Sequence, residues 1–257
     1  MKWPQYNRFD LKLRTILLGL MGSHSHGTYI PPENGGIDDI DVMGVCVPPK
    51  DYYLGLKQFE QVDTWVDEYD IVIYEVRKFI RLLLKNNPNV LGLLWLPKKD
   101  YIVLTSEGQK LIDNRELFSS KIAYHSFTGY AKGQLKRMTH FKFEGYMGQK
   151  RKSLVEKFGY DCKNAAHLIR LLRMGTEFIE TGELNVFRKH DAEQLIDIKR
   201  GKYKLNDIKE MAEKLFDKAD RALEKTALPD RPNVNKAEEL LIEIIEGFTN
   251  LDKPDIL

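Results

Sequence analysis

Apolar residues alternate with polar ones in four short runs. These are "TILLGLMG" from Thr15, "IDVMGVCV" from Ile40, "FEQVDTWV" from Phe59 and "DIVIYEV" from Asp70. Period-two alternation bounded by turn residues predicts strands. Between Val76 and Asn87 the period lengthens to that of a helix, and Pro88 stands where the helix must stop. From about Asn114 onward the helical period dominates, in "SFTGYAKGQLKRM", "DCKNAAHLIRLLRMGTEFIETG", "LNDIKEMAEKLFDKADRALEKT" and "NKAEELLIEIIEGF". Gly175, Gly182 and "LPDRPN" are expected to interrupt these helices. The pattern predicts an α+β fold, with an α+β domain in residues 1–115 followed by an α-helical domain in residues 116–257.

Composition narrows the class without naming a chemistry. At 257 residues and 42% hydrophobic content the chain can bury a core, and it shows no internal repeat or low-complexity tract. A net charge of +2 is too small to imply a protein that coats nucleic acid, so any polyanion site must be a local patch. The two cysteines, Cys46 and Cys162, fit free thiols in a reducing compartment. No signal peptide and no bilayer-spanning apolar run is visible, and the expected location is the cytoplasm.

Chemistry concentrates in "GSHSHGTYIPPENGGIDDIDVMGVCV", residues 22 to 47. Alternate side chains of a strand share a face, so Asp39 and Asp41 align with Met43, Val45 and Val47, their Cα atoms ~7 Å apart. Two like charges at that spacing either converge on a divalent cation or solvate a turn beside Asp38. Gly22 and Ser23 close a strand and can bring amides and a hydroxyl to phosphate oxygens; a simple tight turn is the competing reading. His24 and His26 lack the third ligand a zinc site needs. Met43 at the fifth loop position, with no closing glutamate, excludes an EF-hand, and no phosphate-loop lysine signature occurs. Farther on, Lys163, His167 and Arg170 are spaced by four and three residues along one helix face, suited to triphosphate oxygens or to plain solvation. Lys132, Lys136 and Arg137, with Tyr146 among the aromatics that follow, form a basic stretch of the kind that lines single-stranded nucleic acid or an ordinary helix surface.

Gly22-Ser23, a turn with a further glycine, and Asp39-x-Asp41 in an apolar strand together resemble the signature of the DNA polymerase beta-type nucleotidyltransferase superfamily. The blocks "NPNVLGLLWLP", "FTGYAKGQLKRM", "KNAAHLIRLLRMGTE" and "IKRGKY" are similar to the subfamily of predicted nucleotidyltransferases associated with RNA ligase and RNA repair. The resemblance implies a polymerase-beta-like nucleotidyltransferase core, a mixed sheet with flanking helices, and favours Asp70 as the third carboxylate over Glu68 and Asp63, the fallback candidates that strand alternation alone leaves open. It also implies Mg²⁺ or Mn²⁺ in a two-metal site and an NTP as donor. The helical half would contribute to nucleotide and acceptor binding. The expected reaction is template-independent, metal-dependent transfer of an NMP from the NTP to a hydroxyl, with an RNA end as the favoured acceptor. A protein or small-molecule hydroxyl and a catalytically silent nucleotide- or RNA-binding module are the alternatives. Three departures from the family pattern stand out: the long turn over residues 28–38, Asp38 in place of a serine, and Gly92 where an acidic residue is expected.

Overall fold

The computed structural model describes residues 1–36, 38–139 and 149–250. In chain order the first half contains α1 (Leu11–Arg14), β1 (Thr15–Leu20), α2 (Gly22–Ser25), β2 (Ile40–Cys46), α3 (Asp51–Leu54), β3 (Gln61–Val66) and β4 (Tyr69–Glu75). It continues with α4 (Val76–Leu83), α5 (Pro88–Leu91), β5 (Tyr101–Leu104) and α6 (Ser106–Asp113). Helices α7 (Ile122–Thr139), α8 (Gln149–Phe158), α9 (Cys162–Thr181), α10 (Ala192–Lys199), α11 (Leu205–Lys225) and α12 (Val234–Asn250) follow. The four runs read as strands become β1 to β4, whereas β5, α6, α8 and α10 are additions that the periodicity does not announce.

One five-stranded sheet runs in the order β3-β4-β2-β1-β5. Strands β2 and β4 pair in parallel, and the other pairs are antiparallel. The alternation expected of β2 sorts its side chains onto two cores. Met43, Val45 and Val47 face a large core shared with Phe79, Phe118, Phe127 and Leu171, while Val42 and Cys46 join Leu18, Ile71 and Ile73 beneath Tyr6, Phe9 and Phe59. Both cysteines are buried free thiols. The large core draws on both halves of the chain, because α9 packs between α7, α10 and α11 while α12 returns to lie against α4 and α6.

Helix α9 positions the site and is well delimited. Asp161 caps its start by accepting from the Asn164 amide at 2.9 Å, and Gly182, at φ 77°, ends it in the left-handed conformation that glycine adopts without strain. Gly175 does not interrupt this helix, contrary to the expectation from sequence. It lies in the helix interior, where a side-chain carbon would come 2.5 Å from Phe127 Cβ, so its lack of a side chain lets α7 approach. Gly175→Ala is therefore expected to destabilise the protein by about 1–3 kcal/mol through overpacking, measured by urea unfolding, although alanine is the better helix former. Among the described residues no helix is long and apolar enough to cross a membrane.

Candidate active site

The site begins where β1 ends. Gly22 turns the chain at φ 59°, and a side chain there would overlap the Asp41 carboxylate, so both backbone and space require glycine. The Met21 amide donates to Asp41 O at 2.8 Å, which fixes the α2 turn against the start of β2. Ser23 Oγ is buried and has no hydrogen-bond partner among the described residues. His26 Nδ1 lies 3.0 Å from Val186 O, and because a carbonyl only accepts, Nδ1 carries the proton. Burial, followed by the nearby Arg170 charge, pushes the His26 pKa well below its ordinary value, so the ring is neutral. His24 instead stacks on Tyr29 at 3.8 Å between centroids, and the two histidines do not form a metal pair.

The acidic wall follows. Asp41 and Asp70 are directly paired on parallel strands, and Asp39 precedes the first residue of β2. Burial raises the Asp41 pKa to about 6; Lys163 opposes the rise, and Asp70, Asp39 and Asp38 add to it. Asp70 is raised as well, by burial first and then by Asp63 and Asp39. Asp38 is not a solvated turn residue. It is buried, accepts from the Ile30 amide at 3.0 Å and from Lys199 Nζ at 2.7 Å, and lies 3.5 Å from Lys163 Nζ. Lys199 also donates to Thr28 O at 2.7 Å, so the long turn after α2 is tied to α10 at both ends.

Opposite stand the cations of α9. Lys163 lies 3.9 Å from Asp39 Oδ2. Arg170 is pushed down to about 10, by burial first and then by Arg188, while Asp41 opposes the shift. Among the described residues the hydrogen bond recorded for its guanidinium goes to Met174 Sδ at 3.1 Å, so its other N–H groups are available to an anion. The structure thus gathers Gly22, Ser23, Asp39, Asp41, Asp70, Lys163, His167 and Arg170 around one cavity of about 330 Å³, together with His26, Asp38 and Lys199. A larger open hollow of about 670 Å³ beside Lys121 and Asp230 contains none of these carboxylates. Lys132, Lys136 and Arg137 do not line the cavity, and Lys132 sits over the Phe216 ring of α11 at 5.8 Å. Tyr146 lies outside the described residues.

A family model described as RlaP, RNA repair pathway DNA polymerase beta family, matches residues 7–243. The chain belongs to this family. As a member of the RNA repair polymerase beta family it is a nucleotidyltransferase, with the mixed sheet and helical region that the family implies. No curated protein matches it. Among solved structures it is similar to a nucleotidyltransferase-like protein from Exiguobacterium sibiricum 255-15, at 10% identity and a TM-score of 0.30, covering 91% of this chain and 74% of that one.

Membership of the RNA repair polymerase beta family raises the question of whether this cavity suits a divalent ion. Among the described residues no three His, Cys, Asp or Glu side chains converge tightly enough to hold one ion as they stand. The donor set nevertheless fits. The carboxylates are hard oxygen ligands, burial first and neighbouring carboxylates next raise the pKa values of Asp41 and Asp70, a cost that a bound cation would offset, and Ser23, with its orphaned hydroxyl, lines the same cavity. Sequence reasoning passed over Asp38, His26 and Lys199 as site residues. Lys199 lies in "IKRGKY", a block already conspicuous by its resemblance, which was the one signal available for it.

Proposed function

We propose that the protein transfers an NMP from an NTP to a hydroxyl in a metal-dependent reaction, and that its acceptor is an RNA end. The carrying observation is the single cavity in which an acidic wall, Asp39, Asp41 and Asp70, opposes a cationic wall, Lys163 and Arg170. Asp39, Asp41 and Asp70 would hold Mg²⁺ or Mn²⁺, which when bound supplies charge neutralisation at the phosphoryl group and lowers the pKa of an attacking hydroxyl. Ser23 and Gly22 on α2, with Lys163, His167 and Arg170 on α9, hold the triphosphate by charge-assisted hydrogen bonds. An acceptor hydroxyl then gives up its proton to solvent as its oxygen bonds to the α-phosphorus and the bond to pyrophosphate breaks in line. Lys163 now leans on Asp38 and Asp39, and an incoming phosphate competes for its ammonium. Membership of an RNA repair family favours RNA over other hydroxyl acceptors.

The test incubates the protein with each α-labelled NTP, Mg²⁺ or Mn²⁺, and single-stranded RNA mixed with cell extract. Label on RNA ends is expected, with RNA affinity falling steeply as salt rises because bound cations displace counterions. Label on protein or on a small molecule would overturn the RNA acceptor, and no label anywhere, with NTP still bound, would mean a silent binding module.

A further inference from the structure

Trp65 lies in the edge strand β3, and alternation divides that strand between two environments. Val62 and Val66 pack into the smaller core, so Gln61, Asp63 and Trp65 project from the face that bears the carboxylates. The other two tryptophans are held by packing: Trp95 meets Phe178 edge-on at 5.7 Å, under the Arg115 guanidinium, and Trp3 packs on the smaller core. Trp65 is 56% exposed. A large aromatic ring on the open edge of a sheet is an aggregation hazard unless it has a use.

Register says where that ring stands. Trp65 is the direct antiparallel partner of Asp70, and Asp70 is the direct parallel partner of Asp41. Direct partners share a face, with Cβ atoms ~4.5–5.5 Å apart across the antiparallel β3–β4 pair, so Asp41, Asp70 and Trp65 form a row across three strands, with the ring at its outer end. Gly22 and Ser23, the phosphate-binding candidates of α2, lie at the other end of that row, since α2 follows β1 and the strand order is β3-β4-β2-β1. In-line displacement puts the attacking hydroxyl opposite the departing pyrophosphate. With the triphosphate on the β1 side, the acceptor enters from the β4 and β3 side, past Asp70 and against Trp65. Asp63 shares the face of the ring on β3, and with Asp70 it makes this surface acidic, so a neutral base fits there better than a backbone phosphate.

We infer that Trp65 is the stacking platform for the terminal base of the RNA acceptor, beside Asp70; this rests on the RNA reading above. Stacking on an aromatic face tolerates any base, which suits an end-modifying enzyme.

The experiment uses a short single-stranded RNA with a fluorescent purine analogue as its terminal base, and compares wild type with Trp65→Ala and Trp65→Phe. Wild type is expected to bind and to quench the analogue. Trp65→Ala should lose the quenching and weaken RNA binding roughly tenfold or more by anisotropy, with NTP affinity unchanged by calorimetry and with Trp65→Phe recovering most of both. Unchanged RNA affinity and quenching in Trp65→Ala would overturn the assignment while leaving RNA as acceptor. A loss of NTP affinity instead would put the donor's base on the ring, and a dimer-to-monomer shift on sedimentation would make the β3 edge a contact with a second copy; either overturns it. If the wild-type protein binds no RNA, the acceptor reading falls as well.

Discussion

Asp41→Asn is expected to lower nucleotidyl transfer roughly 100- to 1,000-fold, the scale of losing one group that manages developing charge at a reaction centre. The loss should come without a loss of fold. Asp41 is half-buried, and desolvation raises its pKa to about 6, so its ionised form is disfavoured in the folded protein. A carboxylate raised in this way stabilises fully below its unfolded pKa of ~3.9 and loses that contribution as pH rises through the folded value. Asparagine cannot ionise, so with a chelator present the variant should melt at or above the wild-type temperature at pH 7, with the difference shrinking toward pH 4. Label transfer and melting curves on the same preparation check both halves. Full turnover in a folded Asp41→Asn protein would remove Asp41 from the chemistry.

The second large effect concerns stability. Arg188 is 6% exposed and forks onto two carboxylates: Glu177, at 2.6 and 2.7 Å, and Asp191, at 2.9 and 3.0 Å. Asp191 also accepts from Arg173 at 2.8 Å. The Arg188 amide donates to His26 O at 3.1 Å, so this network backs the α2 turn from behind. Burial alone would raise the Asp191 pKa, but the hydrogen bonds from Arg188 and Arg173 win and hold it below the ordinary value. Removing the guanidinium leaves Glu177 without its cation and Asp191 with Arg173 alone, both partly shielded from water, and Arg188→Ala should cost about 3 kcal/mol in urea unfolding at neutral pH, the lower end for a broken buried pair. The depressed Asp191 pKa gives the sign with pH. Its contribution is present above the unfolded value of ~3.9 and is lost as pH falls through the lower folded one, so the gap between variant and wild type should narrow in acid. A loss under about 1 kcal/mol at neutral pH would show that the network stabilises little.

What was legible in the chain followed from local periodicity. Asp41 shares a face with Met43 and Val45 because a strand repeats every two residues, and Lys163, His167 and Arg170 share one because spacings of four and three close a helical turn. What was not legible depended on distant partners or on very short elements. Asp38 resembles a turn acid until α10 brings Lys199 to it from 161 positions away. Arg188 lies in an aperiodic connection, where nothing marks Glu177 as its partner. Strand β5 has four residues, and as an edge strand it leaves Ile102 and Leu104 exposed, so its alternation is too brief to register. Gly175 misleads because a glycine that breaks a helix and one that admits a neighbour read alike in sequence; only the position of Phe127 separates them.

The return of α12 to the strand-rich half bears on how the protein is made. Ala237, Leu240 and Ile244 complete a core whose other walls come from α4, α6 and the Arg115–Phe118 turn, and Phe248 lies under the Arg14 guanidinium at 5.8 Å. Synthesis runs from the N-terminus, so the sheet and its first helices leave the ribosome with this wall open and must wait for α12, made well over 100 residues later, before their core can close. During that interval the β3 and β5 edges and an uncovered apolar face are exposed together, which makes the closing step a late, long-range event in folding.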